Sequence, residues 1–210
     1  MFAMLNQTLS RLIKIHRILK FLLDLKNLEI CFMKINKVSI GANIIEGPWG
    51  GGNKFFKNFY KYFEQKGIEV VNHLADKDID LIVLTDPRKS SLSGAYTHKE
   101  IDLYKKNINS DVYVIQRINE CDQRKNTEGV NEFYINSNKI ADHTVFVSQW
   151  LYDIYKKDGF DGDYSIILGG GDSELFKNTS NKEWDKKNKF KLVSHHWSDN
   201  YMKGLDLYKK

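Results

Sequence analysis

Asp86, Arg88, Arg117, Asn119 and Glu120 stand at or just past the ends of apolar runs, where a folded chain offers polar groups to a ligand. The runs, residues 79–85 (IDLIVLT) and 111–118 (DVYVIQRI), read as strands buried on both faces. In open α/β sheets ligands settle beyond the carboxyl ends of the strands, so these side chains would share one rim. For Arg117 the plainer alternative is a salt bridge along the rim to Glu120 or Asp122. A second cluster, Gly50, Gly51, Gly52 and Asn53, opens a helical stretch. Glycines there let the backbone approach a ligand or take positive φ, and a helix N-terminus offers free N–H groups to an anion. The motif G-x-G-x-x-G is absent, and Asn53 between Gly52 and Lys54 breaks the phosphate-loop form. A flexible turn without a ligand is therefore the alternative. His195 and His196 adjoin no third ligand or carboxylate, so they read as a packed strand end and no metal is expected.

The elements that must hold these residues alternate. Residues 38–71 run from an apolar extended start through the glycines into a helix, with Phe56, Phe59, Tyr60 and Phe63 on one face and Lys54, Lys57, Lys61 and Glu64 on the other. Asn53 reads as its N-cap and Gly67 as its C′ residue, and residues 68–71 as a second strand. The gap to the strand at 79–85 is too short for a crossover helix, so the connection is compressed or the next strand is not parallel. A helix over 97–107, the strand 111–118, a polar loop over 119–125, a helix over 129–141, a strand over 143–147, a helix capped by Ser148 and a strand over 164–168 follow. Gly169, Gly170, Gly171 and Asp172 close that strand. This alternation predicts an α/β fold, a Rossmann-like doubly wound, mostly parallel sheet.

The chain has 210 residues, 41% hydrophobic and 13% aromatic, enough for a substantial core and against wholesale disorder. Its net charge of +5 comes mainly from lysine interspersed with acids, a solvated surface rather than a nucleic-acid stripe. The two cysteines, Cys31 and Cys121, lack metal spacing and suggest a reducing compartment, with a cytoplasmic location expected. Residues 1–33 differ in character: a basic amphipathic stretch, with Leu12, Ile15, Leu19, Leu22 and Leu23 roughly on one face, too often interrupted by charge to span a bilayer. It suits a peripheral place on a membrane surface; the preferred alternative is that Met33 is the natural start. Residues 34–178 form the first domain, 179–189 a lysine-rich linker, and 190–210 a strand, loop and helix start that read as the opening of a second α/β domain.

Four passages, in order, resemble the amino-terminal half of a GT-B glycosyltransferase of the family 4 (glycosyl transferases group 1) kind. GPWGGGNKFFKNFYKYFEQKGIEVV resembles the glycine-rich first loop and its helix, and TVFVSQWLYDIY the late strand and serine-x-tryptophan-leucine helix. IILGGGDSELFKN resembles the segment that closes the first domain, and KLVSHHWSDNYMKGLDLYKK the entry to the second, with Lys203 before Gly204. The resemblance implies sugar transfer from a nucleotide-diphosphate donor to a hydroxyl of a glycan or lipid-linked acceptor, with retention of configuration and no metal or other cofactor. It implies catalytic roles for Arg117 and Glu120, and substrate or phosphate contacts for Gly50, Gly51, Gly52, Asn53, Asp86, Arg88, Asn119 and Lys203. The arginine usual before that lysine is replaced in SHHWSDN, where His195, His196 or Asn200 would compensate. Gln116 stands where such enzymes often carry a histidine. The expectation is a chain holding the acceptor-side domain and lacking most of the donor-side one, hence inactive as it stands. A Rossmann-like module that binds a phosphorylated ligand or a protein partner without chemistry is the alternative.

Overall fold

The structure, a computed structural model, describes residues 35–47, 50–89, 91–171, 186, 187 and 189. Six short strands among these residues form one sheet: β1 (Lys37–Ile40), β2 (Glu69–Val71), β3 (Leu81–Leu84), β4 (Tyr113–Ile118), β5 (His143–Phe146) and β6 (Tyr164–Ile166). Their order is β2-β1-β3-β4-β5-β6, and every neighbouring pair is parallel. Among the described residues five helices connect or flank them: α1 (Gly51–Gln65), α2 (His98–Asn107), α3 (Asp122–Lys125), α4 (Val130–Asn138) and α5 (Gln149–Lys157). This is a Rossmann-like doubly wound fold. The expectation of a mostly parallel sheet becomes, among the described residues, a wholly parallel one.

Alternation along the strands splits the core in two faces. Leu81 and Val83 join Val38, Ile40, Tyr113 and Ile115 beneath Phe56 and Phe63 of α1. Ile82 and Leu84 turn the other way and pack with Val114 against Ile101 and Tyr104 of α2. Farther along that second face, Ile118 and Phe146 lie under Tyr134 of α4 and Leu151 and Tyr155 of α5. The chain runs from β1 to β2 in one direction and from β3 to β6 in the other, so right-handed crossovers place α1 opposite α2, α4 and α5. The reversal between β1 and β3 is where such sheets open a crevice at their carboxyl edge.

Helix ends follow local chemistry. Gly67 takes φ +71°, and the last turn of α1 closes with Gly67 N–H to Glu64 O at 2.9 Å and Ile68 N–H to Phe63 O at 3.0 Å. That is the double bond of a glycine-terminated helix, with buried Ile68 packed in the same cluster as Phe63. At α5, the Ser148 hydroxyl accepts from Leu151 N–H at 3.2 Å as expected of a cap.

The β2–β3 connection, residues 72–80, is compressed and leads into a parallel strand, which decides between the two alternatives. Side chains replace the missing crossover helix. Asp80 Oδ2 accepts from Asn36 N–H at 2.7 Å and Lys37 N–H at 3.0 Å, and Lys37 Nζ meets Asp76, Asp78 and Glu69 at 2.9, 3.0 and 3.2 Å. The Tyr104 hydroxyl donates to Asp76 O at 2.7 Å, and Ser39 Oγ to His73 O at 2.7 Å. The polar loop over 119–125 contains α3, one helical turn that the sequence reading did not foresee. Asp122, at its start, accepts from Val130 N–H, Asn131 N–H and Thr127 Oγ1 at 3.1, 3.0 and 2.9 Å, and so ties α3 to the start of α4. Among the described residues no helix is long and apolar enough to cross a membrane. The expectations for residues 1–33, the linker 179–189 and the second-domain opening fall wholly or mostly outside the described residues.

Candidate anion site at the carboxyl rim

The strand YVIQRI presents Tyr113, Ile115 and Arg117 to the α1 face and Val114, Gln116 and Ile118 to the other. Gln116 is fully buried there, its Oε1 accepting from Asn138 Nδ2 at 2.8 Å, so it does not reach the α1 side of the rim. Arg117 does. Its Cζ lies 4.0 Å from the centroid of the Phe55 ring in α1, and its Nη1 is buried without a hydrogen-bond partner. Among the described residues no carboxylate pairs with it. Glu120 is engaged by Lys125 Nζ and accepts from Cys121 N–H at 3.2 Å, while Asp122 serves α4, so neither salt bridge considered for Arg117 forms. Burial pulls the Arg117 pKa down to about 10, which still leaves the group charged at neutral pH. A largely buried cation without a counter-charge is costly, and the ring face offsets only part of that cost.

The glycine-rich turn sits one helical turn from Phe55. Here the structure corrects the cap: α1 starts at Gly51 with Gly50 as N-cap, ahead of Asn53. The Asn53 side chain instead clasps the preceding loop, accepting from Ile45 N–H at 2.9 Å and donating to Ile45 O at 2.8 Å. Asparagine side chains bond backbone groups readily, and here the partner lies eight residues back rather than in the first turn. Among the described residues no side chain caps α1, and no acidic residue lies in its first turn, an arrangement that suits an anion. Positive φ is not what the glycines supply, since among them none of Gly50, Gly51 or Gly52 has it. A Cβ at Gly51 or Gly52 would meet nothing within 4 Å. The fold alone does not require glycine there. Replacing either by alanine should therefore stabilise the ligand-free chain by about 0.5–1 kcal/mol, read as a rise in thermal midpoint. A fall would show that the glycines serve the backbone rather than a close approach by ligand.

The remaining rim residues neutralise one another. Asp86 holds Arg88 through Nε at 2.8 Å and Nη2 at 2.7 Å, and Arg88 lies 5.8 Å from the Tyr134 ring centroid. Burial opposes ionisation of Asp86, but the bonds from Arg88 outweigh it and keep the carboxyl below its ordinary value. Asn119 contributes its carbonyl to Arg124 Nη1 at 2.5 Å, and the carbonyl of Glu120 accepts from the Tyr155 hydroxyl at 3.0 Å. Thus Arg117 meets α1 through the Phe55 ring. Asp86 with Arg88, and Glu120 with Lys125, form closed pairs. Lys203, His195, His196, Asn200 and Asp172 lie outside the described residues. Phe55 and Lys125 escaped the sequence reading; the only hint was the adjacent Phe55-Phe56 pair, of which just one ring can join the buried stripe.

Fold and site together define a Rossmann-like domain with an uncompensated cation at its carboxyl rim. Compared with known proteins, the chain matches no family model, and neither the curated proteins nor the solved structures give a match. Among the described residues, no group of three or more His, Cys, Asp or Glu is placed to hold a metal ion.

Proposed function

We propose that this chain carries the acceptor-side domain of a sugar-transferring enzyme, and that Arg117 holds an anionic group of a substrate at the cleft wall. The observation that carries the reading is the unpaired Arg117 guanidinium at the end of β4. The fold supports it, because the carboxyl rim beside the direction reversal is where such sheets bind ligands. So does the uncapped start of α1, whose N–H groups suit a phosphate. The sequence resemblance supplies the reaction: a nucleotide-diphosphate sugar gives its sugar to an acceptor hydroxyl, and negative charge grows on the departing diphosphate. Arg117 would stabilise that charge or hold an anionic acceptor, and Gly51 and Gly52 would admit the ligand close to the backbone.

The non-catalytic reading has an observation of its own. Asp86 and Glu120, the acids of the candidate set, are each closed on a basic partner, which leaves neither free for proton transfer. Two measurements separate the possibilities. Calorimetric titration of the chain with pyrophosphate and with nucleoside diphosphates should give saturable, salt-sensitive binding. No binding of any of these anions would overturn the site. If they bind, multiple-turnover release of nucleoside diphosphate from nucleotide sugars by the full protein favours the enzyme, and binding without turnover favours the module.

A further inference from the structure

Arg117 is not held by charge, yet it is held. Its guanidinium carbon sits 4.0 Å from the centroid of Phe55. That ring is itself braced, 5.1 Å edge-on from Phe56 and 5.6 Å from Phe59. Phe56 is buried in the α1 face of the core, so the brace reaches the sheet. Guanidinium donors all lie in the plane of the group. A guanidinium that stacks on a ring at this distance turns its N–H edges sideways and keeps its face occupied. Side chains on a helix lean toward its N-terminus, which carries the Phe55 ring toward the uncapped first turn of α1.

We infer that Phe55 is a positioning residue for anion recognition, fixing the Arg117 fork so that its edge, not its face, meets the ligand's anionic group. The inference rests on the proposed role of Arg117 and adds the device that pre-orients it. An arginine side chain has many rotamers to lose, and a ligand that finds the fork already oriented need not offset that loss. Two consequences follow for selectivity. The anion must accept two parallel N–H bonds, as phosphate and carboxylate oxygens do. Lysine cannot substitute for Arg117, because an ammonium has neither the plane to stack nor the fork.

The test is calorimetric titration with pyrophosphate, on the full chain, of wild type and of Phe55→Leu, Phe55→Trp and Arg117→Ala. Leaving the fork to be ordered by the ligand costs about 0.5–1.5 kcal/mol of side-chain freedom, which predicts that Phe55→Leu weakens binding roughly 2- to 13-fold. The thermal midpoint should stay within a few degrees, and Phe55→Trp should restore affinity to wild-type level or better. A purely packing role would not give rescue by the larger ring. Should Phe55→Leu lower the midpoint markedly, Phe55→Met, similar in volume and without a ring, takes its place. If the ringless variant binds as tightly as wild type while Arg117→Ala does not bind, Phe55 only packs and the role of Arg117 stands. If wild type and Arg117→Ala bind alike, the role of Arg117 falls and this inference with it.

Discussion

Replacing Arg117 by methionine should lower anion affinity by about 10- to 150-fold while leaving the protein as stable as before, or more so. The first half follows from the worth of a hydrogen-bonded charge contact, about 1.5–3 kcal/mol. The second follows from what surrounds the guanidinium. Its Nη1 is buried and unpartnered, and burial alone pulls its pKa down to about 10, so the charge opposes folding. Methionine keeps an apolar stem over Phe55 and removes the charge, and such replacements are often neutral or stabilising. The same shift sets a pH dependence. Below about pH 10 the cation is present and binding is full; as pH rises through that value binding should fade in wild type and show no such step in the variant. Stability runs in the opposite sense, rising with pH above that point, because the unfolded chain keeps the proton longer than the folded one. Thermal melts and titrations from pH 7 to 10.5 would check both. A variant that melts well below wild type and binds as tightly would show Arg117 to be structural.

Phe146→Ala should be the most damaging of simple core truncations, costing about 3–5 kcal/mol and lowering the thermal midpoint by on the order of 10 °C. Phe146 is fully buried at the end of β5. Four rings surround it, with centroids at 5.1 Å for Phe160, 5.5 Å for Tyr152, 5.6 Å for Tyr155 and 6.2 Å for Tyr164. Removing the central ring leaves a cavity whose walls are held by α5 and β6 and cannot easily collapse. Truncating the half-exposed Tyr164 to alanine makes the control, expected to cost much less because solvent already reaches that ring. Comparable losses in the two variants would mean that β6, and not the ring cluster, is the unit lost.

Much of the fold was legible because apolar runs on buried parallel strands and a 3.6-residue stripe on α1 are signals of composition and period. LIVL and YVIQRI became β3 and β4, and Gly67 ended α1 where it was placed. What was not legible depended on groups far apart in sequence. Asn53 looks like a cap in isolation, but Ile45 competes for its amide and wins both bonds, leaving a glycine to start the helix. A salt bridge from Arg117 to Glu120 is plausible along the chain, yet successive residues leave a strand on opposite faces. Lys125, brought back by the turn of α3, reaches the carboxylate instead. The strand-end rule therefore located polar groups at the rim but could not sort which are paired within the chain and which are not.

The position of β4 in the sheet bears on how readily the site opens. β4 is flanked by hydrogen-bonded neighbours on both sides, whereas the edge strands β2 and β6 are three residues long and partly exposed. Local unfolding starts where few buried contacts must break, so amides of the edges should exchange with solvent through small fluctuations, and those of β4 only through near-global opening. Arg117 thus rides on one of the last segments to loosen. Thermal fraying at either end of the sheet would leave its fork in place.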